Sequence, residues 1–367
     1  MRPHLPPAVT AAIERARGPT LVFDRATLAE NMRRVAAAAR AHDIRVLFAA
    51  KSFAHAEVLA MAGDALDGFD VASPGELDAV ARASSSRPRI LSIADPTGAA
   101  IAAIANPAGT IAGSSAKARV ICVCETPEQA AAAPRDAEIA VRVSASLLGR
   151  DPAMGAVLDG SGRRRSRFGD ETREAIGFVR AAAGARRVGL HVHHGPVTAT
   201  SGERFVATAR AVIELAGFEP AFVDLGGAWH GIEDLPAAFA AVRAAVACEL
   251  IVEPGRLFAL GAGFACGRVG SARDLGDRLL HVCDLSRAAH LRWSQPELVG
   301  YPPHAGAGRS VLFAGPTCYE EDVLGEWIVD PSHFPPEQRV VLRDVTGYAA
   351  SWNTGFGGVP PADVVLA

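Results

Sequence analysis

Eight short β-prone runs mark the first two thirds of the chain: RVLFAA (45–50), GFDVA (68–72), RILSIA (89–94), RVICVC (119–124), EIAVRVS (138–144), RVGLHVHH (187–194), AFVDLG (221–226) and CELIVE (248–253). Between them, apolar residues recur at helical spacing, as in 74–82, 97–105, 170–183 and 203–216, and a further helix is predicted over 27–41. Strands alternating with helices predict parallel strands joined by crossover helices. Eight such units suggest a closed (β/α)8 barrel, with an open doubly wound sheet as the competing arrangement.

From Gly261 the texture changes to glycine, proline and the short apolar runs LLHVCDL (279–285), SVLFAG (310–315), EWIVD (326–330) and RVVLRDV (339–345), with no long helical pattern. This predicts a mostly-β domain appended to the barrel, with the boundary near residue 260. Length agrees, since a chain of 367 residues exceeds the roughly 250–300 that one core serves. No internal repeat is visible.

Charge is nearly balanced, 37 basic against 40 acidic residues, so no global field points to nucleic acid or an anionic membrane, and the expected partner is a small molecule. The arginines of GSGRRRSR (160–167) read as a solvated or ligand-closing loop. The proline-interrupted start and the lack of any apolar run near the ~20 residues of a membrane helix predict a soluble, cytoplasmic protein. Six cysteines without paired spacing read as reduced thiols.

In a barrel of this type the active site lies at the C-terminal ends of the strands. Those ends carry Lys51, Asp70, His191-Val192-His193-His194-Gly195, Asp224-Leu225-Gly226-Gly227 and Glu253-Pro254-Gly255-Arg256. A lysine directly after FAA would be partly desolvated, which suits its amine to Schiff-base formation; the competing reading is a stem on apolar surface with its ammonium in water. Gly226, Gly227 and Gly255 open backbone N–H groups to a phosphate and Arg256 adds a guanidinium, although a glycine pair is more often a turn. Glu253 could face a cofactor's ring nitrogen, and His193 could stack on the ring. His191 and His193 could also be half a metal site or core histidines; no acidic or cysteine ligand stands at fixed spacing beside them, so no metal is expected.

Taken in order, FAAKS (48–52), FDVASPGEL (69–77), SRFG (166–169), GLHVHHG (189–195), DLGG (224–227), EPGR (253–256), GPTCYEED (315–322) and GYAASWNTGF (347–356) resemble the fold-type III enzymes that use pyridoxal 5'-phosphate (PLP). That group includes diaminopimelate, ornithine and arginine decarboxylases, with alanine racemase more distant. The resemblance implies a PLP-binding barrel over 25–260 and a β domain formed by 1–24 with 261–367. It makes Lys51 the Schiff-base lysine, His193 the ring-stacking residue, Glu253 the pyridine-nitrogen partner, and Gly226, Gly227, Gly255, Arg256 and Tyr348 the phosphate ligands, with Asp70 close to the lysine. It also implies a head-to-tail homodimer in which Cys318 acts across the interface, protonating the carbanion left when carbon dioxide departs.

Two positions depart from the pattern. Pro196 stands where the family carries a serine and offers neither hydroxyl nor N–H. Tyr319 stands where diamino-acid decarboxylases carry an acid that grips the distal amine, followed by Glu320, Glu321 and Asp322, the last matching a second acidic position. The implied function is an amino-acid decarboxylase with altered substrate specificity, compatible with a specialised biosynthetic role. The alternatives are an amino-acid racemase and a catalytically silent PLP-binding regulator. Which of Arg163, Arg164, Arg165 and Arg167 reaches the site is open.

Overall fold

In the computed structural model each of the eight runs forms a strand: β1 (Ile44–Ala49), β2 (Gly68–Val71), β3 (Ile90–Ile93), β4 (Arg119–Cys124), β5 (Glu138–Val143), β6 (Val188–Val192), β7 (Phe222–Asp224) and β8 (Glu249–Val252). All pair in parallel with their sequence neighbours, and Leu250 of β8 pairs with Ile44 of β1, closing the barrel. The structure describes residues 5–83, 89–105, 118–144, 157–158, 164–193, 202–299 and 308–367.

The strands are stretches of Val, Ile, Leu and Phe with nearly every side chain buried, as a parallel sheet with both faces covered requires. Leu47, Ile90, Ile121, Val123, Ala140, Phe222 and Ile251 come from six strands and meet in one cluster. Each large side chain so buried contributes about 1.5–3 kcal/mol relative to exposure.

The crossover helices start and stop where local chemistry dictates. Thr126 and Gln129 form a capping box at Pro127–Ala132. The segment expected from 170 becomes helical only at Arg173, because Asp170 bridges to Val143 and Thr172 then caps the helix by accepting from Ala175 N. Gly217, in the left-handed region, ends Glu203–Ala216.

The chain divides into two compact units, Met32–Leu257 and Met1–Asn31 with Phe258–Ala367. In the second, strand Thr20–Phe23 pairs antiparallel with Gly263–Cys266 and parallel with Asp363–Leu366. Val9, Ala12 and Ile13 of helix Pro7–Arg15 pack with Val22, Phe264 and Cys266. The four runs expected there are strands, at Leu279–Cys283, Arg309–Ala314, Val323–Val329 and Arg339–Arg343. The longest strand, Gly263–Asp274, was hidden by its glycines. A Cβ at Gly267 would lie 2.6 Å from Asp284 Oδ1, so the residue that reads as a loop signal is needed for close packing. Among the described residues no helix is long and apolar enough to cross a membrane.

Candidate active site

Lys51 lies two residues past the end of β1 at Ala49, in the short turn Ala50–Ser52 where the Ser52 hydroxyl donates to Ala49 O at 2.7 Å. Its Nζ sits 2.7 Å from Asp70 Oδ2 on β2, with the lysine side chain 33% exposed and the carboxylate wholly buried. The lysine thus faces an opening while its counter-charge is fixed in the wall. Gly255 lets the turn after β8 approach, since a Cβ there would stand 2.6 Å from Ser52 Cβ.

Behind this pair lie three further polar side chains, all buried: His191 on β6, Asp224 on β7 and Glu253 just after β8. One donor atom from each lies within 4.8 Å of the others. His191 Nε2 is 3.6 Å from Glu253 Oε2, longer than a hydrogen bond, and Ser92 of β3 donates to Glu253 Oε1 at 3.4 Å. Asp224 accepts from Gly226 N at 2.8 Å. Burial, then the neighbouring Glu253, pushes Asp224 well above the ordinary carboxylate range. Burial would raise Glu253 too, but His191, Lys51 and a hydrogen bond from Asp224 hold it well below that range. Burial and Glu253 raise Asp70, against the pull of Lys51. Burial and their neighbours thus drive the two carboxyl groups in opposite directions, Asp224 toward its neutral form and Glu253 toward its charged one.

His193, past the end of β6, is solvent-exposed at the strand end, and Gly226 and Gly227 lie beside it. A Cβ on Gly226 would fall 2.9 Å from His193 Nδ1, and one on Gly227 3.2 Å from its Cε1. Arg256 lies in the turn that begins after Gly255. Trp229 Nε1 donates to Gly226 O at 2.9 Å, and its ring stacks on Phe205 with centroids 3.7 Å apart, anchoring this loop.

Arg142 of β5 is buried, donates to Glu125 at 3.0 Å and lies over the Phe168 ring, as Arg167 also does. The SRFG motif is thus tied to a strand end by stacked guanidinium groups. Arg163, His194, Gly195 and Pro196 lie outside the described residues, and for Arg164 and Arg165 only the backbone strand is described.

The remaining expected residues belong to the other unit. Cys318 is exposed. Next to it Tyr319 is exposed, packs edge-on to Phe356 and donates its hydroxyl to Glu321 at 2.7 Å. Glu320 is exposed. Asp322, expected at the substrate, is buried and accepts from the Ser286 hydroxyl, Ala288 N, and both the N and hydroxyl of Thr317. In this structure its oxygens hold the loop that presents Cys318. Tyr348 is half-buried, its ring 6.1 Å from that of Trp293.

Sequence reading missed Ser92, Arg142 and Glu76, whose Oε2 accepts from Ala72 N at 2.9 Å beside the Lys51–Asp70 pair. It listed Asp224 only as part of a strand end. The available signal was a polar residue inside an otherwise apolar barrel strand, as in ILSI and EIAVRV.

Buried polar atoms without partners among the described residues, Asp70 Oδ1 and both His191 nitrogens, stand ready for a ligand. Glu253 would suit a ring nitrogen, and the open backbone at Gly227 and Gly255 would suit an anionic group. Residues 25–260 match the family model described as pyridoxal-dependent decarboxylase, pyridoxal binding domain. A search of curated proteins finds no match. Among solved structures, the arginine decarboxylase of Paramecium bursaria Chlorella virus superposes with a TM-score of 0.76 at 16% identity, covering 98% of this chain and 99% of the other. The lysine/ornithine decarboxylase of Vibrio vulnificus, complexed with cadaverine, gives 0.73 at 17%, covering 98% and 97%. The carboxynorspermidine decarboxylase of Campylobacter jejuni, complexed with norspermidine, gives 0.71 at 17%, covering 95% and 94%. At such identities these likenesses establish the shared barrel and β-domain fold.

Proposed function

The chain belongs to the pyridoxal-dependent decarboxylase family, and on that premise we propose that it removes carbon dioxide from an amino acid whose distal end is not gripped as a plain ammonium. When bound, the cofactor supplies an electron sink for the pair left behind as the carboxylate departs. Lys51 holds the cofactor and afterwards releases the product, with Asp70 fixing the position of its Nζ. Glu253 would hold the ring through its nitrogen, His193 would cover one face, and Gly227, Gly255, Arg256 and Tyr348 would hold the phosphate, while Gly226, whose N–H Asp224 already accepts, shapes the turn instead of donating to the phosphate as the resemblance implied. Cys318 of the partner subunit delivers the proton to the substrate carbon, so the working unit is a homodimer.

The observation that carries the substrate reading is the pairing around Cys318. Tyr319 occupies the position next to the thiol and engages Glu321, while Asp322 is consumed by its own loop. Glu320 is the acid of this segment without such an engagement among the described residues, and a side chain with mixed polar and apolar character suits a surface led by Tyr319 better than a simple diamino acid. Such a substrate fits a specialised biosynthetic route.

The test is a mass-spectrometric screen of basic, acidic and carboxyalkylated L- and D-amino acids with PLP-loaded protein, scoring carbon dioxide and amine product, repeated with Tyr319→Asp. We expect turnover of ornithine or lysine to rise at least about tenfold in the variant, the equivalent of one charge-assisted hydrogen bond. Ornithine or lysine turned over equally well by both proteins overturns the substrate reading, and enantiomer exchange without carbon dioxide overturns the decarboxylase reading.

A further inference from the structure

We propose that Asp224 is a positioning residue for Glu253: it carries a proton at neutral pH and donates it to the Glu253 carboxylate, fixing that group in place and in charge before the cofactor arrives. The proposal rests on the reading of Glu253 as the ring-nitrogen partner.

Three carboxylates, Asp70, Asp224 and Glu253, are buried at the same end of the barrel, and like charges this close cannot all ionise. The three cationic or polar neighbours, Lys51, His191 and Ser92, are already allotted. Lys51 is 2.7 Å from Asp70. His191 and Ser92 face the two oxygens of Glu253, at 3.6 and 3.4 Å. Asp224 has no ion-pair partner among the described residues; its Oδ1 takes the Gly226 N–H, and its carboxyl faces that of Glu253, with oxygens of the two groups within 4.8 Å. Two facing buried carboxyl groups are compatible once one carries a proton and donates to the other, and among the described residues Asp224 is the member whose side chain has neither an ion pair nor a hydroxyl donor. His193, Glu76 and Arg142 complete the titratable and charged groups around the cluster.

The backbone makes this geometry rigid. Glu253 N donates to Gly226 O at 2.8 Å, so the segment after β7 that carries Gly226 is pinned to the residue Asp224 orients. Asp224 and Glu253 are thus tied twice, once through side chains and once through the chain that forms the glycine cradle. A carboxylate fixed in advance meets an incoming ring nitrogen without reorganising, which is the general advantage of a prearranged polar site.

Asparagine reproduces a protonated aspartic acid: it can donate to Glu253 and still accept from Gly226 N. The experiment compares Asp224→Asn and Asp224→Ala with the wild type, reading PLP affinity by equilibrium titration of the visible absorbance, and repeats the titration with 1-deaza-PLP, which lacks the ring nitrogen. We expect Asp224→Asn to bind PLP within about twofold of wild type and Asp224→Ala to bind it about tenfold or more weakly, the cost of one hydrogen bond to a charged group. The analogue should bind all three proteins alike. Equal losses for Asn and Ala mean that Asp224 acts as an anion, and the proposal fails. A loss that is the same for PLP and the analogue means that Asp224 serves only the fold, and the proposal fails again. Glu253→Gln is run alongside: if it binds PLP as wild type does, the ring-nitrogen reading of Glu253 falls, whatever Asp224 does.

Discussion

The two ends of the barrel carry similar charges and treat them in opposite ways. At the N-terminal end, Arg119 makes a bidentate pair with Glu138 at 2.8–2.9 Å and reaches Glu249 at 2.6 Å. Arg187 bridges the same two acids at 2.8 and 2.9 Å, and both guanidiniums lie over the Phe222 ring. Each acid there has at least two cations within reach, and Glu249 also has Arg45 at 3.9 Å. At the C-terminal end three buried carboxylates share Lys51 and His191, and Asp70 Oδ1 and the His191 ring lack hydrogen-bond partners among the described residues. The first end has ion pairs that close on themselves and hold the strands in register. The second keeps unsatisfied polar atoms, which lower stability unless a ligand supplies the missing contacts. Stability and function are therefore separable along one barrel axis.

The largest effect should come from the lysine. Replacing Lys51 with Ala should reduce carbon dioxide release roughly a thousandfold or more, about 4 kcal/mol of barrier, and abolish the visible absorbance of lysine-bound cofactor. The fold should survive, because Asp70, already raised by burial, takes up a proton when its counter-charge is lost. Circular dichroism and a turnover assay on the same preparation check both halves. Retained turnover would break the contrast between the two ends at its strongest point.

The opposite pattern is expected at the other end. Arg119→Met should cost about 2 kcal/mol of unfolding free energy, less than a fully buried pair would, because solvent reaches these side chains and Arg187 stays behind to hold both acids. Urea unfolding measures the cost. Cofactor affinity and turnover per folded molecule should not change; if they fall as well, the two ends are coupled and the separation is wrong.

Much of this organisation was legible in the sequence, for reasons that also explain what was not. The barrel strands were visible because each is an apolar run of strand length between helical segments, and the strand-end position of Lys51, Asp70, His193 and Glu253 marked them as candidates. The relation between Asp224 and Glu253 was not visible, because it depends on β7 and β8 lying side by side and on which carboxylate keeps a proton, a property of the buried cluster as a whole. Asp322 shows the same limit. The sequence places an acid four residues after Cys318, but only the fold reveals that Gly315, Thr317 and Ser286 wrap around it: a Cβ on Gly315 would lie 2.2 Å from its Oδ2. Strand Gly263–Asp274 escaped because glycine signals both a turn and a close approach.

The smallest effect sharpens the comparison through the backbone. Both ends hold a residue other than glycine in the left-handed region, Asp43 before β1 with φ 51° and Ala228 after the glycine cradle with φ 70°. Aspartate tolerates that conformation, whereas alanine is strained there by about 1–2 kcal/mol. Ala228→Gly should therefore stabilise the cofactor-free protein by about 0.5–1 kcal/mol, part of the relief being lost to the greater freedom of glycine in the unfolded chain. Asp43→Gly should give less. Because Trp229, stacked on Phe205 and bonded to Gly226 O, already sets the path of the loop, PLP affinity should stay the same in Ala228→Gly. A gain in urea midpoint with unchanged affinity would mean that the strain is a local cost of turning the chain. A gain in stability with weakened PLP binding would mean that the strained turn itself shapes the cradle, and would extend the contrast between the two ends from side chains to backbone.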